Sequence, residues 1–165
     1  MRHARNVMTA QRGMTTVEFS IVGAVLFLVI FGVIEFGRAM YVVNVLTEAT
    51  RRGARLAAVC PVNDPYPAEG AVFNYSGGSA SAVVPGLSTS NVVIEYLDDS
   101  GNVINDPVTN FDEIGYVRAR IVNFSMPMII PFINPTLSLS GFQATIPRES
   151  LGVYRVAPPA GTNVC

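Results

Sequence analysis

Residues 19–34, FSIVGAVLFLVIFGVI, carry no charged side chain. Few structures accommodate such a run. With residues 14–18 it makes a stretch of 21 residues, and a helix of that length rises about 30 Å at 1.5 Å per residue, enough to cross a hydrocarbon core. Arg2, His3, Arg5 and Arg12 crowd the preceding segment, so the positive-inside bias keeps that end in the cytoplasm and sends the remainder outward. One carboxylate, Glu18, sits at the mouth of the run. An acid there is costly in lipid. Either it snorkels to the interface of a plain membrane anchor, or it holds a countercharge.

An ordinary secretory signal places its small-residue cleavage site after the apolar region. Here the small residue, Gly13, comes before it. The order therefore fits a cut on the cytoplasmic side, after Gly13, that leaves the helix on a product starting at Met14. Glycine followed five residues later by glutamate, at the head of an apolar helix, resembles the type IV prepilin pattern. In that class the freed N-terminus is usually methylated. The resemblance gives Glu18 the role of neutralising the Met14 amine, usually that of an adjacent subunit, which fixes the axial register of assembly. Gly23, Gly32 and Gly37 would let neighbouring helices approach closely.

Composition excludes several activities. The chain has 165 residues, room for a membrane helix and one modest extracytoplasmic domain. It contains no lysine, and beyond Gly13 eight arginines face twelve carboxylates, a net charge of −4. That is not a nucleic-acid footprint. His3, in the leader, is the sole histidine, so the processed chain would lack the means for Ser-His or Cys-His nucleophiles and for most zinc sites. Without lysine there is no phosphate-binding loop. Nothing marks a pair such as Glu95 and Asp112 for acid–base work. No catalytic residue, metal ligand or cofactor is expected, and the chain does not read as an enzyme.

Outside the cytoplasm, two cysteines, Cys60 and Cys165, favour one intramolecular disulfide. Two free thiols, or a terminal thiol pairing with another chain, are the alternatives.

The helix is expected to continue past the membrane, because no proline occurs between Glu35 and Val59. Arg38, Tyr41, Val45, Glu48, Arg52 and Arg55 fall on one stripe, expected to face water or another subunit. Ala39, Val42, Leu46, Ala49, Gly53 and Ala57 fall on another, expected to hold the head. Glu48 is spaced to pair with Arg51 and Arg52. Residues 61–91 are rich in Pro, Gly, Ser and Asn and read as loop, with short helical turns near 68–72 and 79–84. Strands are expected over 91–97, 116–124, 136–146 and 151–156, with a return strand starting at 103–104 after a turn at 98–102. The alternation over 116–124 puts Arg118 and Arg120 on one face. Oxygen donors at Asp98, Asp99, Asn102, Asn105 and Asp106 raise a calcium reading, but their spacing is not that of an EF-hand, and turn chemistry explains them. The segment MPMIIPFINP, 126–135, is apolar yet broken by prolines, too short for a second span. It either closes the head against the helix or forms an apolar tip for a partner or membrane surface.

The expected fold is α+β: a leader (1–13), a transmembrane helix (14–36), its extracytoplasmic continuation (37–60) and a head with an antiparallel sheet (61–165). Three places resemble the TadE-like family of the tight-adherence (Flp) pilus system. They are Arg12-Gly13-Met14-Thr15-Thr16-Val17-Glu18-Phe19; the blocks FGVIEFGRAMY (31–41) and ATRRGARLAAV (49–59); and a late strand followed by Pro127, Pro131, Phe132 and a Leu-Ser-Leu-Ser strand. The family often has Tyr where Phe19 stands, and more helix before the first strand than 61–91 suggests. The resemblance implies a minor, pilin-like structural component, single-pass in the bacterial inner membrane with a periplasmic head. A prepilin peptidase would cut it, and its partners would be other pilins, pseudopilins and the assembly platform. The rival expectation is a permanently anchored extracytoplasmic binding domain that never enters a filament.

Overall fold

The computed structural model of the chain describes residues 12–129, 135–153 and 165, with side chains of the first helix from Thr15 onward. Most of the expected leader, residues 130–134 of the proline-rich segment and residues 154–156 of the expected last strand lie outside the described residues. Helix α1 runs Arg12–Val59 without interruption, about 72 Å long at 1.5 Å per residue. It ends where Pro61 removes a backbone donor. Its last carbonyls are capped from far along the chain. Ala58 O accepts from the N–H groups of Glu149 (3.2 Å) and Leu151 (3.1 Å), and Val59 O accepts from the N–H of Gly152 (2.8 Å) and the hydroxyl of Ser150 (3.1 Å). These groups satisfy acceptors that a helix end leaves open. They also explain why 151–153 is not the strand the sequence suggested: Leu151 and Gly152 take positive φ (46° and 79°) to reach the helix end.

Helix α2 spans Tyr66–Ala71, two residues earlier than expected, because the Asp64 carboxylate accepts the Tyr66 N–H at 2.8 Å and starts it there. The turn expected near 79–84 is not helical. The Ser81 hydroxyl accepts the N–H groups of Val83 and Val84, and Ala80 bridges to Ser88. This loop is also part of the core: Val72, Val84 and Leu87 are fully buried.

Strands β1 (Val92–Leu97), β2 (Tyr116–Ile121) and β5 (Gln143–Pro147) form an antiparallel sheet with β2 in the middle, while β3 (Phe124–Pro127) and β4 (Thr136–Leu139) form a separate hairpin. Sequence alternation suggested one strand over 116–124 and another over 136–146. Each is split. Asn123 takes φ 53°, pinned by the Asn91 side-chain amide donating to the carbonyls of Val122 and Asn123 at 3.2 Å. Asparagine tolerates the left-handed region. Gly141, at φ 90°, makes the other break. The return strand at 103–104 is reduced to a bridge between Val103 and Leu97.

The stripe Ala39, Val42, Leu46, Ala49, Gly53, Ala57 does face the head. Val42, Leu46 and Ala49 pack with Ile121, Phe124 and Met126 in one cluster, and Ala57 and Ala58 pack with Tyr96, Ile114 and Val117 in a second, farther along the helix. Gly53 permits a close crossing: a Cβ there would meet the Cβ atoms of Ala71 at 3.0 Å and Ala119 at 3.3 Å. The other stripe is less uniform than expected. Val45 packs against the core, and the Arg52 guanidinium lies 4.7 Å from the Phe73 ring centroid. Among the described residues no ion pair joins Glu48 to Arg51 or Arg52, since Arg52 turns to this ring and to the Tyr75 hydroxyl instead.

Candidate functional site

From Thr15 to Ile34 the residues of α1 lie exposed, apart from half-buried Gly23. Its most apolar 18-residue window has mean hydropathy 2.6 and no buried share. A helix that apolar on all sides is one whose surroundings are hydrocarbon or other helices. Gly23, Gly32 and Gly37 each have open space where a Cβ would stand. Gly13 and Met14 lie within α1. Glu18 is exposed, and among the described residues it makes no ion pair or hydrogen bond.

A second carboxylate closes the other end of the uncharged run. Glu35 is 17 residues beyond Glu18, about 25 Å along the helix axis, and is buried at 7% exposure. Its Oε1 pairs with Nη2 of Arg38 at 2.8 Å, and its Oε2 accepts the N–H of Ile129 at 3.3 Å. The same Arg38 nitrogen donates to the Pro127 carbonyl. Helix and β3–β4 hairpin are thus clipped together through four groups at the end of the apolar run. Among the described residues Nε of Arg38 has no hydrogen-bond partner. Sequence reasoning placed Arg38 on a solvent stripe and gave Glu35 no role. The available signal was an acid with arginine three residues on, at the far mouth of the run.

The clip resolves part of the proline-rich segment. Met126 is buried and Met128 half-buried, so its start closes on the helix as one of the two readings had it. Ile129 is 63% exposed.

Within the head, Glu95 stands opposite Arg118 in the β1–β2 register, with Arg120 diagonal on the same face. Glu95 oxygens lie 2.6 Å from Arg118 Nη2 and 2.7 Å from Arg120 Nε. Burial pushes the Glu95 carboxyl up, but the hydrogen bonds and charges of the two arginines outweigh it and hold the pKa below the usual value. The arrangement is a structural ion-pair triad within the sheet. The oxygen donors of the 98–106 loop serve turns. Asp98 accepts from the backbone of Ser100 and Asn102 and from the Asn102 side chain, which lowers its pKa. Asp106 accepts from Thr109 in a separate turn. Among the described residues no cluster of His, Cys, Asp or Glu is arranged to hold a metal. Cys60 and Cys165 are joined by a disulfide, their Cα atoms 5.6 Å apart, closing a separation of 105 residues.

Fold and site together define a class: one N-terminal helix long and apolar enough to span a membrane, running on into a small α+β head held to its distal half. The sequence model of the family described as TadE-like protein matches residues 13–55, consistent with a TadE-like protein of the Tad pilus system. The match takes in the first two of the three resembling places from Gly13 to Arg55, short of Arg12 and of residues 56–59, and leaves the late strands outside. This is a structural, pilus-associated family. No curated protein and no solved structure shows a significant match.

Proposed function

We propose that the chain is a minor, pilin-like component of a tight-adherence pilus, cut after Gly13 by a prepilin peptidase and held in the inner membrane by α1 until it is assembled. The observation that carries this reading is Glu18: an exposed carboxylate on an apolar helix, without a partner among the described residues, inside a family match that opens at residue 13. A cut after Gly13 creates a charged amine at Met14. Glu18 lies four residues on, and on a neighbouring helix it is the group that would cancel that charge. The pair forms only between correctly staggered subunits, since any other register strands both charges in hydrocarbon. The open glycine surfaces of α1 suit close packing of helices. The partners would be the peptidase, other pilins and pseudopilins, and the assembly platform, with the head outside the cytoplasm. The first test is intact mass and N-terminal sequence of membrane-extracted protein from cells with and without their prepilin peptidase. A chain starting at Met14 only when the peptidase is present supports the proposal. An intact leader in both strains refutes it and leaves the permanently anchored binding domain.

A further inference from the structure

Charge is divided between two sides of the chain beyond the uncharged run. From Leu56 to Val117 there are eight carboxylates and no arginine. Several of these acids are used within the head: Glu95 holds Arg118 and Arg120, Asp64 starts α2, and Asp98 and Asp106 serve turns. Asp99, Asp112 and Glu113 are exposed, and among the described residues they join no ion pair. Asp112 and Glu113 stand on the single 3-10 turn Phe111–Glu113. Phe111 and Ile114 pack in the cluster of Ala57 and Ala58, so this acidic loop lies on the head side of α1, at its distal end.

The spare cations lie on the other side. Arg38 is bound by Glu35, and Arg52 lies on the Phe73 ring. Arg51 and Arg55 are exposed, and among the described residues they join no ion pair. Each is two residues from Gly53, where the head crosses α1, and two residues carry the chain about 200° around a helix. Both arginines therefore point away from their own head and its acidic loop. Four residues apart, they share one face. Glu48, exposed on the same face, tempers its positive charge without cancelling it.

We propose that the acidic loop beyond β1 docks on the Arg51–Arg55 face of α1 in a second copy of this chain. The occupant follows from charge complementarity: a second copy brings Asp99, Asp112 and Glu113 to two arginines that their own loop does not reach. The two patches differ and lie on opposite sides of the molecule, so the contact is heterologous. Each copy gives its loop to one neighbour and its helix face to another, which builds an open array unless the rotation closes a ring. The contact lies outside the uncharged run and does not need the Met14 amine, so it goes beyond the pairing proposed for Glu18.

A heterologous contact is tested by complementation. The full chain carrying Asn44→Cys and Val108→Cys, both at exposed positions near the two patches, is expressed in cells, and their membranes are treated with a short bismaleimide. The native cysteines are joined to each other, so the introduced ones supply the thiols. A ladder of dimers, trimers and longer products is expected. One variant adds Arg51→Glu and Arg55→Glu, and another adds Asp112→Arg and Glu113→Arg. Reversing these exposed charges is expected to lower the products about tenfold in either variant alone. Mixed, the first variant still has its loop and the second its arginines, so one intact contact forms, and dimers return without longer products. Raising the salt concentration weakens the unsubstituted ladder. No ladder in the unsubstituted chain, an undiminished ladder in either variant, or no dimer in the mixture overturns the proposal. Products longer than a dimer in the mixture overturn it too. The ladder is expected in cells with and without prepilin peptidase, so its failure leaves the cut after Gly13 to its own test.

Discussion

Replacing Glu95 by alanine tests how the head is held together. The carboxylate side chain is 12% exposed and bonds two arginines whose side chains are 24% and 42% exposed. A charge-assisted hydrogen bond contributes about 1.5–3 kcal/mol when desolvated, and a pair reaching water contributes less than 1 kcal/mol. Arg118 is nearer the first limit and Arg120 nearer the second, so the loss sums to about 2–3 kcal/mol, part of it from leaving Arg118 half-buried without a countercharge. The head is followed in detergent by the near-ultraviolet tyrosine signal during urea unfolding, since Tyr96 is buried in β1 at 5% exposure. With a urea slope of about 1–2 kcal/mol per M, the midpoint falls by about 1–3 M. The same triad gives a pH dependence. Glu95 is more acidic in the folded head than its ordinary value of 4.5, so the unfolded chain takes up its proton first as pH falls. Its stabilisation is complete above that value and is lost as pH drops below it toward the lowered folded pKa. The Glu95→Ala chain lacks this component of acid sensitivity. A midpoint within experimental error of the unsubstituted protein, or an identical loss of stability below pH 4.5 in both, would refute the assignment.

Three further outcomes are expected. Gly53→Leu forces a side chain into the crossing with Ala71 and Ala119 and destabilises the head by about 1–3 kcal/mol, read in the same urea assay, whereas Ser at exposed Gly77 keeps its effect to the strain of its positive φ. Cys60→Ser removes a tie closing a separation of 105 residues. It is expected to cost up to about 4–5 kcal/mol on the loop-entropy model, with reduction of the unsubstituted protein giving a comparable loss. Glu18→Gln leaves membrane insertion and head stability unchanged but lowers surface piliation, counted by electron microscopy of the complemented strain. Normal piliation in that strain would count against the assembly role.

The sequence read most clearly where structure is set locally. The uncharged run, the absence of proline up to Pro61 and the 3.6-residue periodicity of Val42, Leu46, Ala49 and Gly53 specify a helix and its buried face without reference to the rest of the chain. The alternation around Arg118 and Arg120 showed their shared face in the same way. Where hydrogen-bond partners are distant in sequence, local pattern misled. Alternation alone does not show that Asn91 kinks the chain at Asn123, and turn-rich composition hid Val84 and Leu87, which are buried by contacts made elsewhere. The last segment has the apolar character of a strand, but the open carbonyls at the end of α1, some 90 residues earlier, claimed its donors. Glu35 is the instructive case. In sequence it is an acid next to an arginine on a surface helix. Only the return of the β3–β4 hairpin to that turn of α1 makes it a buried clip, because burial and pairing are properties of what comes to lie against a residue, and a chain's own periodicity does not carry them.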